Sequence, residues 1–443
     1  MNVLALVDGE HYPPVTRWGI QAARTMGYEV IAALFLGGAE KIPVQGLPDL
    51  GVETIPAEGD RMTALADAIA RVSPEAVLDL SDEPVLGYRE RMELVAVTLA
   101  TGLPYLGPDF RLDPPVWGPP LSAPTVAVIG TGKRTGKTAI AGELARVAAE
   151  LGDEPVVVAM GRGGPPEPQV ALAGTVDVER LIELARRGEH AASDYLEDAV
   201  TTGVTTVGAR RSGGGLAGAP LATNVREAAD RALELGAGLV ILEGSGSSVP
   251  PVPWDAGILV VPADVPPEYL GGYLGPYRLL RSDLVVLTMA GSPQAGPENL
   301  LALRSHVQRF RGDARLVVTD FVPVPLGDVQ GKDAFFTTTA PGAVAVRQVA
   351  ALEAVHGAHV VGWSDRLADR AGLVEDLERA QGYEVLLTEL KAAAVDVACE
   401  RALTAGAQVV FVDNRAVVVD GRDDLRDALE TTIELAKVRR EGR

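Results

Sequence analysis

The stretch TVAVIGTGKRTGKTAIAGELARVAAEL, residues 125–151, decides the fold of this chain. Its first six residues, 125–130, form an apolar run that predicts a buried strand, and a glycine-rich loop follows at 131–138. The remaining residues predict an amphipathic helix whose apolar face is made of Ile140, Leu144, Val147 and Leu151. In a strand–loop–helix unit of this kind, backbone N–H groups converge on phosphate oxygens at the helix N-terminus. The sequence therefore predicts a phosphate-binding loop.

The residue types in this loop suit the phosphates of a nucleotide. We expect Lys137 to reach the β- and γ-phosphates, the Thr138 hydroxyl to ligate Mg²⁺, and Lys133 to supply a second catalytic cation. The candidate nucleotide-binding residues are Gly132, Lys133, Arg134, Thr135, Gly136, Lys137 and Thr138. The usual G-x4-G-K-[ST] spacing would place its first glycine at position 131, where Thr131 stands, and Gly130 comes one residue early. This longer spacing is similar to that of dethiobiotin-synthetase-like proteins. A glycine-rich turn without a ligand is the alternative.

Glu243 is the candidate metal ligand outside the loop. It directly follows the apolar run 239–242 of the predicted strand 238–244, and a parallel sheet would place its carboxylate at the carboxyl edge, where ligands bind. A polar turn that merely ends the strand is the alternative. Asp177 and the pair Glu197/Asp198 are secondary metal candidates. None of the four asparagines is followed by lysine, so the Asn-Lys-x-Asp guanine clamp of GTPases is missing and ATP is the expected nucleotide.

Three arginines follow predicted strands and are candidates for binding anionic groups. Arg162 comes after the run PVVVAM at 155–160, which we expect to lie beside the phosphate loop. Its guanidinium is therefore predicted to point into the site as a catalytic cation. Arg210 and Arg211 begin a glycine-rich loop, RRSGGG, in which paired guanidiniums suit bidentate contacts to a substrate phosphate. An exposed loop with solvated arginines is the alternative.

Two further places are candidates for substrate contacts. Lys332 precedes a predicted strand that ends in the three hydroxyls of 337–339, and together they suggest a second phosphate site. His11 follows the first predicted strand and Arg17 lies on the next helix, at the edge where a doubly wound sheet binds ligands. We predict that Lys332, His11 and Arg17 contact the substrate, with a plain capped helix start as the alternative for the last two.

Composition narrows the class of protein. The 443 residues carry 40 basic and 60 acidic side chains, and the net charge of −20 argues against nucleic acid or an anionic membrane as a partner. The single Cys399 excludes an intramolecular disulfide and a cysteine metal cluster. The sequence has no run of 18 apolar residues, and its N-terminus lacks the pattern of a signal peptide. We therefore predict a cytoplasmic protein with a small anionic substrate.

Apolar runs, turns and amphipathic helices alternate along the chain, which predicts an α/β protein with doubly wound parallel sheets. In this interpretation a smaller α/β domain precedes a phosphate-loop NTPase core. We predict the N-terminal domain at 1–110, a proline-rich linker at 111–123 and the nucleotide-binding core at 124–320. Residues 321–443 are expected to form either a C-terminal α/β domain or an extension of the core.

Six segments together resemble the cyclic 2,3-diphosphoglycerate synthetase family. They span nearly the whole chain and are VDGEHYPPVT (7–16), GTGKRTGKTAI (130–140), AMGRGGPPEP (159–168), GARRSGGGLAGAP (208–220), ILEGSGSS (241–248) and LLTELKAAAVDV (386–397). The resemblance implies an ATP- and Mg²⁺-dependent ligase of the EC 6.5.1 type. Such an enzyme closes 2,3-diphosphoglycerate into a cyclic phosphoanhydride and releases ADP and phosphate. The resemblance also implies a cytoplasmic homodimer, with residues 132–138 and Glu243 in nucleotide and metal roles.

The candidate residues suit that reaction. Two phosphate dianions about 5 Å apart repel by roughly 3 kcal/mol in water, so joining them needs several fixed cations. Lys133, Lys137, Arg162 and the pair Arg210/Arg211 could supply these charges beside Mg²⁺. The loop spacing alone also allows an ATP-dependent carboxylase or amide ligase of the dethiobiotin-synthetase type. A nucleotide-switched regulator of the same superfamily is a third alternative, although the missing guanine clamp and the lack of Cys or His pairs argue against it.

Overall fold

The computed structural model describes residues 1–38, 40–41, 47–115, 118–293, 295–420 and 424–442. These residues form one six-stranded and one thirteen-stranded sheet, both mostly parallel, with helices packed on their faces. The predicted α/β class is therefore confirmed. Residues 116–117 of the predicted linker lie outside the described residues. Within the described ranges, no helix is long and apolar enough to cross a membrane.

The smaller sheet is formed by the N-terminal part of the chain. Its strands are β1 (Asn2–Val7), β2 (Glu29–Phe35), β3 (Glu53–Pro56), β4 (Ala76–Asp79), β5 (Tyr105–Leu106) and β6 (Arg111–Leu112). Its helices are α1 (Pro13–Thr25), α2 (Arg61–Val72) and α3 (Tyr88–Ala100). The strand order is β3-β2-β1-β4-β5-β6, and only the short β6 runs antiparallel to its neighbour.

Strand β1 explains why helices cover both faces of this sheet. Its alternate residues point to opposite faces, and nearly all of them are apolar. Leu4 and Leu6 pack in a cluster with Leu65 of α2 and Leu94 of α3. Val3, Ala5 and Val7 pack on the opposite face with Ile20 of α1. Helices on both faces of the sheet thus bury the apolar strand β1, as expected for a doubly wound unit.

The larger sheet contains the predicted phosphate loop. Its strands are β7 (Thr125–Gly130), β8 (Pro155–Gly161), β9 (Gln169–Ala171), β10 (Thr206–Ser212), β11 (Ala222–Thr223), β12 (Leu239–Glu243), β13 (Ala256–Pro262), β14 (Leu284–Thr288), β15 (Arg315–Pro325), β16 (Asp333–Thr337), β17 (His359–Ser364), β18 (Val385–Thr388) and β19 (Gln408–Val418). Their order is β11-β10-β8-β12-β7-β13-β14-β15-β19-β18-β16-β17, with β9 paired to β10. From β10 to β15 the strands are parallel.

Helices cover this sheet on both faces. They are α4 (Lys137–Leu151), α5 (Val178–Arg186), α6 (Asp194–Thr202), α7 (Val225–Glu234), α8 (Glu268–Gly271), α9 (Gly275–Leu280), α10 (Pro297–Arg311), α11 (Gly342–His356), α12 (Arg370–Arg379), α13 (Glu400–Thr404) and α14 (Leu425–Glu441), with a π-helical turn at Ala394–Cys399. Strand β7 lies between β12 and β13. Its residues Val126 and Val128 pack against Ile140 and Leu144 of α4, which fixes the strand–loop–helix unit in the core.

Strand β15 joins the C-terminal strands to the same sheet. Its first part pairs with β14 in parallel, and residues 319–325 pair with β19 in the antiparallel direction. Because β18 and β16 run parallel to β19, their carboxyl ends are directed back toward the carboxyl edge of the core strands. The boundary proposed at 320 falls inside β15, and the domain boundaries stay predictions.

Ion pairs hold the returning strand β19 against helix α4. The Arg415 guanidinium lies 3.0 Å from a Glu143 carboxylate oxygen, and Arg146 lies 3.2 Å from Asp413. These pairs are only partly exposed, so water screens them less than it screens pairs on the outer surface. The C-terminal strands are thereby fixed beside the helix that begins at the phosphate loop.

Candidate active site

The phosphate loop has a backbone that requires glycine at position 136. Gly136 lies at the start of α4 with φ +87°, a left-handed conformation that side chains disfavour. A Cβ atom there would also lie 2.4 Å from the Phe321 ring of β15. The predicted strand, loop and helix are all present, and the glycine allows close contact between loop and sheet.

The Lys137 side chain is buried inside its own loop and crosses Gly130. Its ammonium donates to the Gly132 carbonyl oxygen at 2.8 Å and to the Thr135 hydroxyl at 3.2 Å. Burial lowers the pKa of Lys137 to about 8, although the nearby Glu243 carboxylate opposes this shift. A Cβ atom on Gly130 would lie 3.1 Å from the Lys137 ammonium. This close packing explains why a glycine stands at 130, one residue earlier than the usual spacing.

Thr138 and Glu243 meet as the sequence predicts. The Thr138 hydroxyl donates to Glu243 Oε1 at 2.7 Å. Glu243 is the last residue of β12, which lies directly beside β7, and its side chain is only 3% exposed. Its other oxygen, Oε2, has no hydrogen-bond partner among the described residues. An unsatisfied buried carboxylate oxygen is costly, so this atom is suited to a ligand.

A second buried carboxylate faces Glu243 from helix α6. Asp198 is fully buried, and neither of its carboxylate oxygens has a hydrogen-bond partner within the described part of the chain. Burial, together with the Glu243 carboxylate, raises the pKa of Asp198 well above its usual range. Burial, followed by the charge of Asp194, raises the pKa of Glu243 to about 7. Two such groups require either a proton or a cation between them.

Helix α6 presents further carboxylates at the same place. Asp194, Glu197 and Asp198 have the i, i+3, i+4 spacing that puts side chains on one helix face. Burial raises the pKa of Asp194, which Lys137 and Lys391 oppose. The sequence singled out Glu197 and Asp198 but missed Asp194, which the same helical spacing could have found. Lys391, whose ammonium lies 3.3 Å from Glu197, was also missed.

The described residues fit a Mg²⁺ ion that shares its ligands with a nucleotide. Among them, no group of three or more His, Cys, Asp or Glu side chains is arranged to hold a metal alone. The Thr138 hydroxyl and the unsatisfied oxygens of Glu243 and Asp198 offer hard oxygen ligands. Mg²⁺ usually takes one or two carboxylates and completes its shell with water and phosphate oxygens. This donor set suits that coordination.

The Glu243–Asp198 pair predicts a pH dependence of stability in the metal-free protein. Glu243 has a pKa raised from 4.5 to about 7, so the folded protein holds more protons than the unfolded chain between these values. The contribution of protonated Glu243 to the free energy of unfolding is therefore fully present below pH 4.5 and is lost as pH rises through 7. We expect Asp198→Asn in EDTA to exceed wild type in melting temperature by about 2 °C or more at pH 8. The difference should vanish near pH 4.5, and calorimetry at both pH values measures it.

The matched control for this change is Asp177→Asn. The structure uses the Asp177 carboxylate as the N-cap of α5, where it accepts from the Arg180 amide at 2.8 Å. This cap is the role that the structure shows for Asp177, and a metal role for it stays a prediction. Because asparagine caps helices about as well as aspartate, this exposed change should leave the melting temperature nearly unchanged at both pH values. An Asp198→Asn curve parallel to that of wild type would contradict electrostatic repulsion at the pair.

Arg162 and Arg211 lie at the loop that follows Glu243. The Arg211 guanidinium donates to the Ser245 carbonyl oxygen at 2.8 Å and to the Gly213 carbonyl oxygen at 2.6 Å. A Cβ atom on Gly246 would lie within 3.3 Å of both the Arg162 and the Arg211 guanidinium. Burial and the nearby Arg162 charge lower the pKa of Arg211. Two cations held so close together favour an anion between them.

Neither of these arginines forms an ion pair with a carboxylate of the described residues. The sequence predicts that β8 lies directly beside the phosphate-loop strand β7, but β12 lies between these two strands. The adjacency prediction is therefore wrong. Arg162 nevertheless reaches the loop after Glu243. The loop after β8 is directed over the end of β12, and that position brings the guanidinium to Gly246.

Arg210 and Arg211 do not act as a pair. Both lie within strand β10, where consecutive side chains point to opposite faces. The exposed Arg210 guanidinium donates to the Gly164 carbonyl oxygen at 3.2 Å, whereas Arg211 contacts Ser245. The prediction of paired guanidiniums in one loop is wrong, because the strand extends farther than the sequence indicated. Arg210 stays a candidate for substrate binding on its own.

The predicted second phosphate site at Lys332 is also not assembled. Lys332 precedes β16 and donates to the Asp328 carbonyl oxygen at 2.8 Å and to Gln408 at 3.2 Å. The three threonines follow at the other end of this five-residue strand, about 16 Å away at the usual rise. The combination of Lys332 with these hydroxyls is therefore wrong. A separate substrate role for Lys332 stays a prediction.

His11 and Arg17 have local partners in the N-terminal part. The His11 ring nitrogen Nδ1 lies 2.9 Å from the buried Asp8 carboxylate, which also accepts from the Asp82 amide at 2.6 Å. The Arg17 guanidinium donates to the Asp49 carbonyl oxygen at 2.6 Å. Asp8 thus organises the loops at the carboxyl ends of β1 and β4. Substrate contacts of His11 and Arg17 stay predictions.

The buried Lys137 loop and the Thr138–Glu243 contact at adjacent parallel strands define a phosphate-loop nucleotide-binding protein. Three family models match the chain: the N-terminal domain of cyclic 2,3-diphosphoglycerate synthetase at residues 2–113, its P-loop domain at 125–320 and its C-terminal domain at 325–415. The chain belongs to the cyclic 2,3-diphosphoglycerate synthetase family.

Relatives of similar length support this membership. A protein of Rubrobacter xylanophilus named cyclic 2,3-diphosphoglycerate synthetase is 47% identical over 94% of this chain and 94% of its own length. A protein of the same name from Methanothermobacter thermautotrophicus is 40% identical over 98% of this chain and 96% of its own. Among solved structures, LpxK from Aquifex aeolicus matches with a TM-score of 0.41 and 16% identity, covering 72% of this chain and 91% of that one.

Proposed function

We propose that this protein uses ATP to close 2,3-diphosphoglycerate into cyclic 2,3-diphosphoglycerate, with release of ADP and phosphate. The observation that carries the proposal is the position of Arg162 and Arg211. Both guanidiniums lie at the loop after Glu243 without a carboxylate partner among the described residues, beside the Lys137 loop. These two cations, added to the lysines of the loop, suit a substrate that brings further phosphate groups beside the nucleotide. The names of the relatives support the same reaction.

The nucleotide site is formed by residues 132–138, and ATP is the proposed nucleotide. Thr138, Glu243 and Asp198 would hold Mg²⁺, which supplies positive charge to the phosphates when it is bound. Lys137 and Lys133 bind the phosphates from the side of the loop. Lys137 loses its hydrogen bonds to Gly132 and Thr135 when it contacts a phosphate, and the new anionic partner favours its charged form.

The proposed chemistry has two steps. An oxygen of one substrate phosphate attacks the γ-phosphorus of ATP, and the bond between that phosphorus and ADP breaks. An oxygen of the other substrate phosphate then attacks the first substrate phosphorus, closes the ring and releases inorganic phosphate. Arg162 and Arg211 hold the two substrate phosphates together against their repulsion. Positioning and charge stabilisation dominate phosphoryl transfer, so no protein nucleophile is required.

A ³¹P NMR assay tests the proposed reaction. The protein is mixed with Mg·ATP and 2,3-diphosphoglycerate, and the spectrum is followed for a cyclic diphosphate beside ADP and phosphate. Positional isotope exchange in labelled ATP would support the two-step order, and a single concerted loss of phosphate would contradict it. ADP formed only with another acceptor would favour a carboxylase or amide ligase. ADP formed with no acceptor would favour a nucleotide-switched regulator.

We also propose that the protein acts as a homodimer in the cytoplasm, as the family resemblance implies. Sedimentation equilibrium of the purified protein measures the first part of this proposal. A concentration-independent monomer mass would contradict it. Since the net charge is −20, the measurement should be made near physiological ionic strength, where repulsion between protomers is screened.

Arg211→Met should weaken substrate binding more than nucleotide binding. Removal of a charge-assisted contact costs about 1.5–3 kcal/mol, which corresponds to a KM for 2,3-diphosphoglycerate about 10- to 100-fold higher. The affinity for Mg·ATP should change little, because Arg211 contacts the loop at Ser245 rather than the phosphate loop. Steady-state kinetics and nucleotide titration measure the two effects.

The control for Arg211→Met is Arg180→Met. Arg180 is half-exposed and pairs with Glu183 on α5, at 2.7 Å. Its replacement should leave both constants unchanged, because an exposed pair contributes little. If Arg211→Met lost nucleotide affinity and substrate affinity equally, the result would contradict a substrate-binding role for Arg211. It would indicate a general disturbance of the loop instead.

A further inference from the structure

Hydrogen bonds hold the segment after β18 in a fixed conformation, and the proposed reaction assigns this segment no role. It contains Glu389, whose side chain is only 3% exposed and is held by three donors. One carboxylate oxygen accepts from the Thr339 amide at 2.8 Å and from the Thr339 hydroxyl at 2.9 Å. The other accepts from the Asn414 side chain at 2.8 Å. These bonds fix the end of β18 to the neighbouring strands β16 and β19.

The backbone immediately after Glu389 is unusual. Ala392 has φ +49°, a left-handed conformation that residues other than glycine rarely adopt. A π-helical turn, Ala394–Cys399, follows at once. Backbone strain and π-helical turns both occur preferentially at functional sites. The residue presented between the fixed carboxylate and the strained turn is Lys391.

Lys391 extends from this segment to helix α6. Its ammonium lies 3.3 Å from Glu197 Oε1, and the Glu197 side chain is only 13% exposed. Glu197 is on the same helix face as Asp194 and Asp198, next to the metal candidate Glu243. The contact therefore joins the C-terminal strands to the carboxylates of the proposed Mg²⁺ site. No other ion pair with a lysine reaches α6 from the described residues.

We propose that Lys391 is a positioning residue of the active site, which holds helix α6 so that the Asp198 carboxylate faces Glu243. The proposal rests on the metal site of the proposed function. Four carboxylates, those of Asp194, Glu197, Asp198 and Glu243, lie close together. In the ionised forms that bind a metal, their mutual repulsion would push α6 away from β12. The positive charge of Lys391 offsets the negative charge of Glu197. The hydrogen bonds of Glu389 fix the segment that holds Lys391 at this distance.

Lys391→Met tests the proposal through metal binding rather than turnover. We expect its affinity for Mn²⁺ in the presence of ATP, measured by electron paramagnetic resonance, to fall about 10- to 100-fold, the usual effect of losing a group that orients a metal ligand. Lys391→Arg keeps the charge and should retain most of the affinity. Lys437→Met is the matched control, since Lys437 on α14 also pairs with carboxylates, those of Asp153 and Glu434. Unchanged Mn²⁺ binding in Lys391→Met would overturn the proposal.

A double variant separates positioning from direct contact with the ligand. If Lys391 acts by offsetting Glu197, the variant Lys391→Met/Glu197→Gln removes both charges and should regain at least tenfold of the lost Mn²⁺ affinity. A double variant that binds as weakly as Lys391→Met alone would overturn the positioning role. The ³¹P assay on wild type is independent of this result, because a protein without cyclase activity would still report Mn²⁺ binding.

Discussion

Lys137→Ala should lower kcat by about a thousandfold or more, which is the expected loss when a fixed cation is removed from the charge that develops in phosphoryl transfer. The buried ammonium donates to the Gly132 carbonyl oxygen of its own loop at 2.8 Å. Its alkyl stem crosses Gly130, so the ammonium is preorganised before ATP binds. Single-turnover measurement of ADP release gives the loss in the chemical step.

Two controls distinguish loss of this cation from loss of the fold. Lys437→Ala removes a partly buried lysine on α14, remote from the phosphate loop in sequence, and should keep full turnover. The thermal midpoint of Lys137→Ala should stay close to that of wild type, because a buried ammonium with a pKa lowered to about 8 contributes little net stability. Turnover of Lys137→Ala within tenfold of wild type would show that the loop does not bind the transferred phosphoryl group.

Glu243→Gln should lower the activity and raise the stability of the metal-free protein. The amide can still accept from the Thr138 hydroxyl but carries no charge for a metal ion. We expect kcat to fall by about 100- to 1,000-fold, with weaker dependence on Mg²⁺. The metal-free variant should melt at a higher temperature than wild type above pH 7, because the repulsion between Glu243 and Asp198 is gone.

The control for this change is Glu143→Gln. Glu143 is a partly exposed residue of α4, and it pairs with Arg146 and Arg415 at 2.6 and 3.0 Å, so its charge is compensated. Its replacement should lower the melting temperature and leave the Mg²⁺ dependence unchanged. A Glu243→Gln variant that loses stability at pH 8 and keeps its Mg²⁺ dependence would remove Glu243 from the metal site.

The half of the site that is contiguous in sequence could be predicted. The loop at 131–138 lies between a strand and a helix that are each recognisable from their own apolar periodicity. Glu243 could be found as well, because a carboxylate at the end of a buried run lies at the carboxyl edge of any parallel sheet. The prediction of these residues does not depend on which strands are neighbours in the sheet.

Predictions that depended on strand extent and neighbours were the ones that failed. The sequence predicts a loop at Arg210 and Arg211, but pairing with β8 and β11 extends strand β10 through both residues. Their side chains therefore point to opposite faces of the sheet. Lys332 was grouped with hydroxyls that lie at the other end of β16. In each case the residues are near in sequence, but pairing with a distant strand decided where the side chains point.

The sequence by itself determined the α/β class and the phosphate loop, because both follow from local periodicity and from glycines whose backbone is set within a few residues. Only the tertiary structure decided that Asp198 faces Glu243 and that Lys391 reaches Glu197. These contacts join residues from α6, β12 and the segment after β18, which are remote in sequence. The physical reason is that β15 runs beyond the carboxyl edge of the core strands and β19 returns to it. Strand β19, near the end of the chain, therefore packs beside helices α4 and α6.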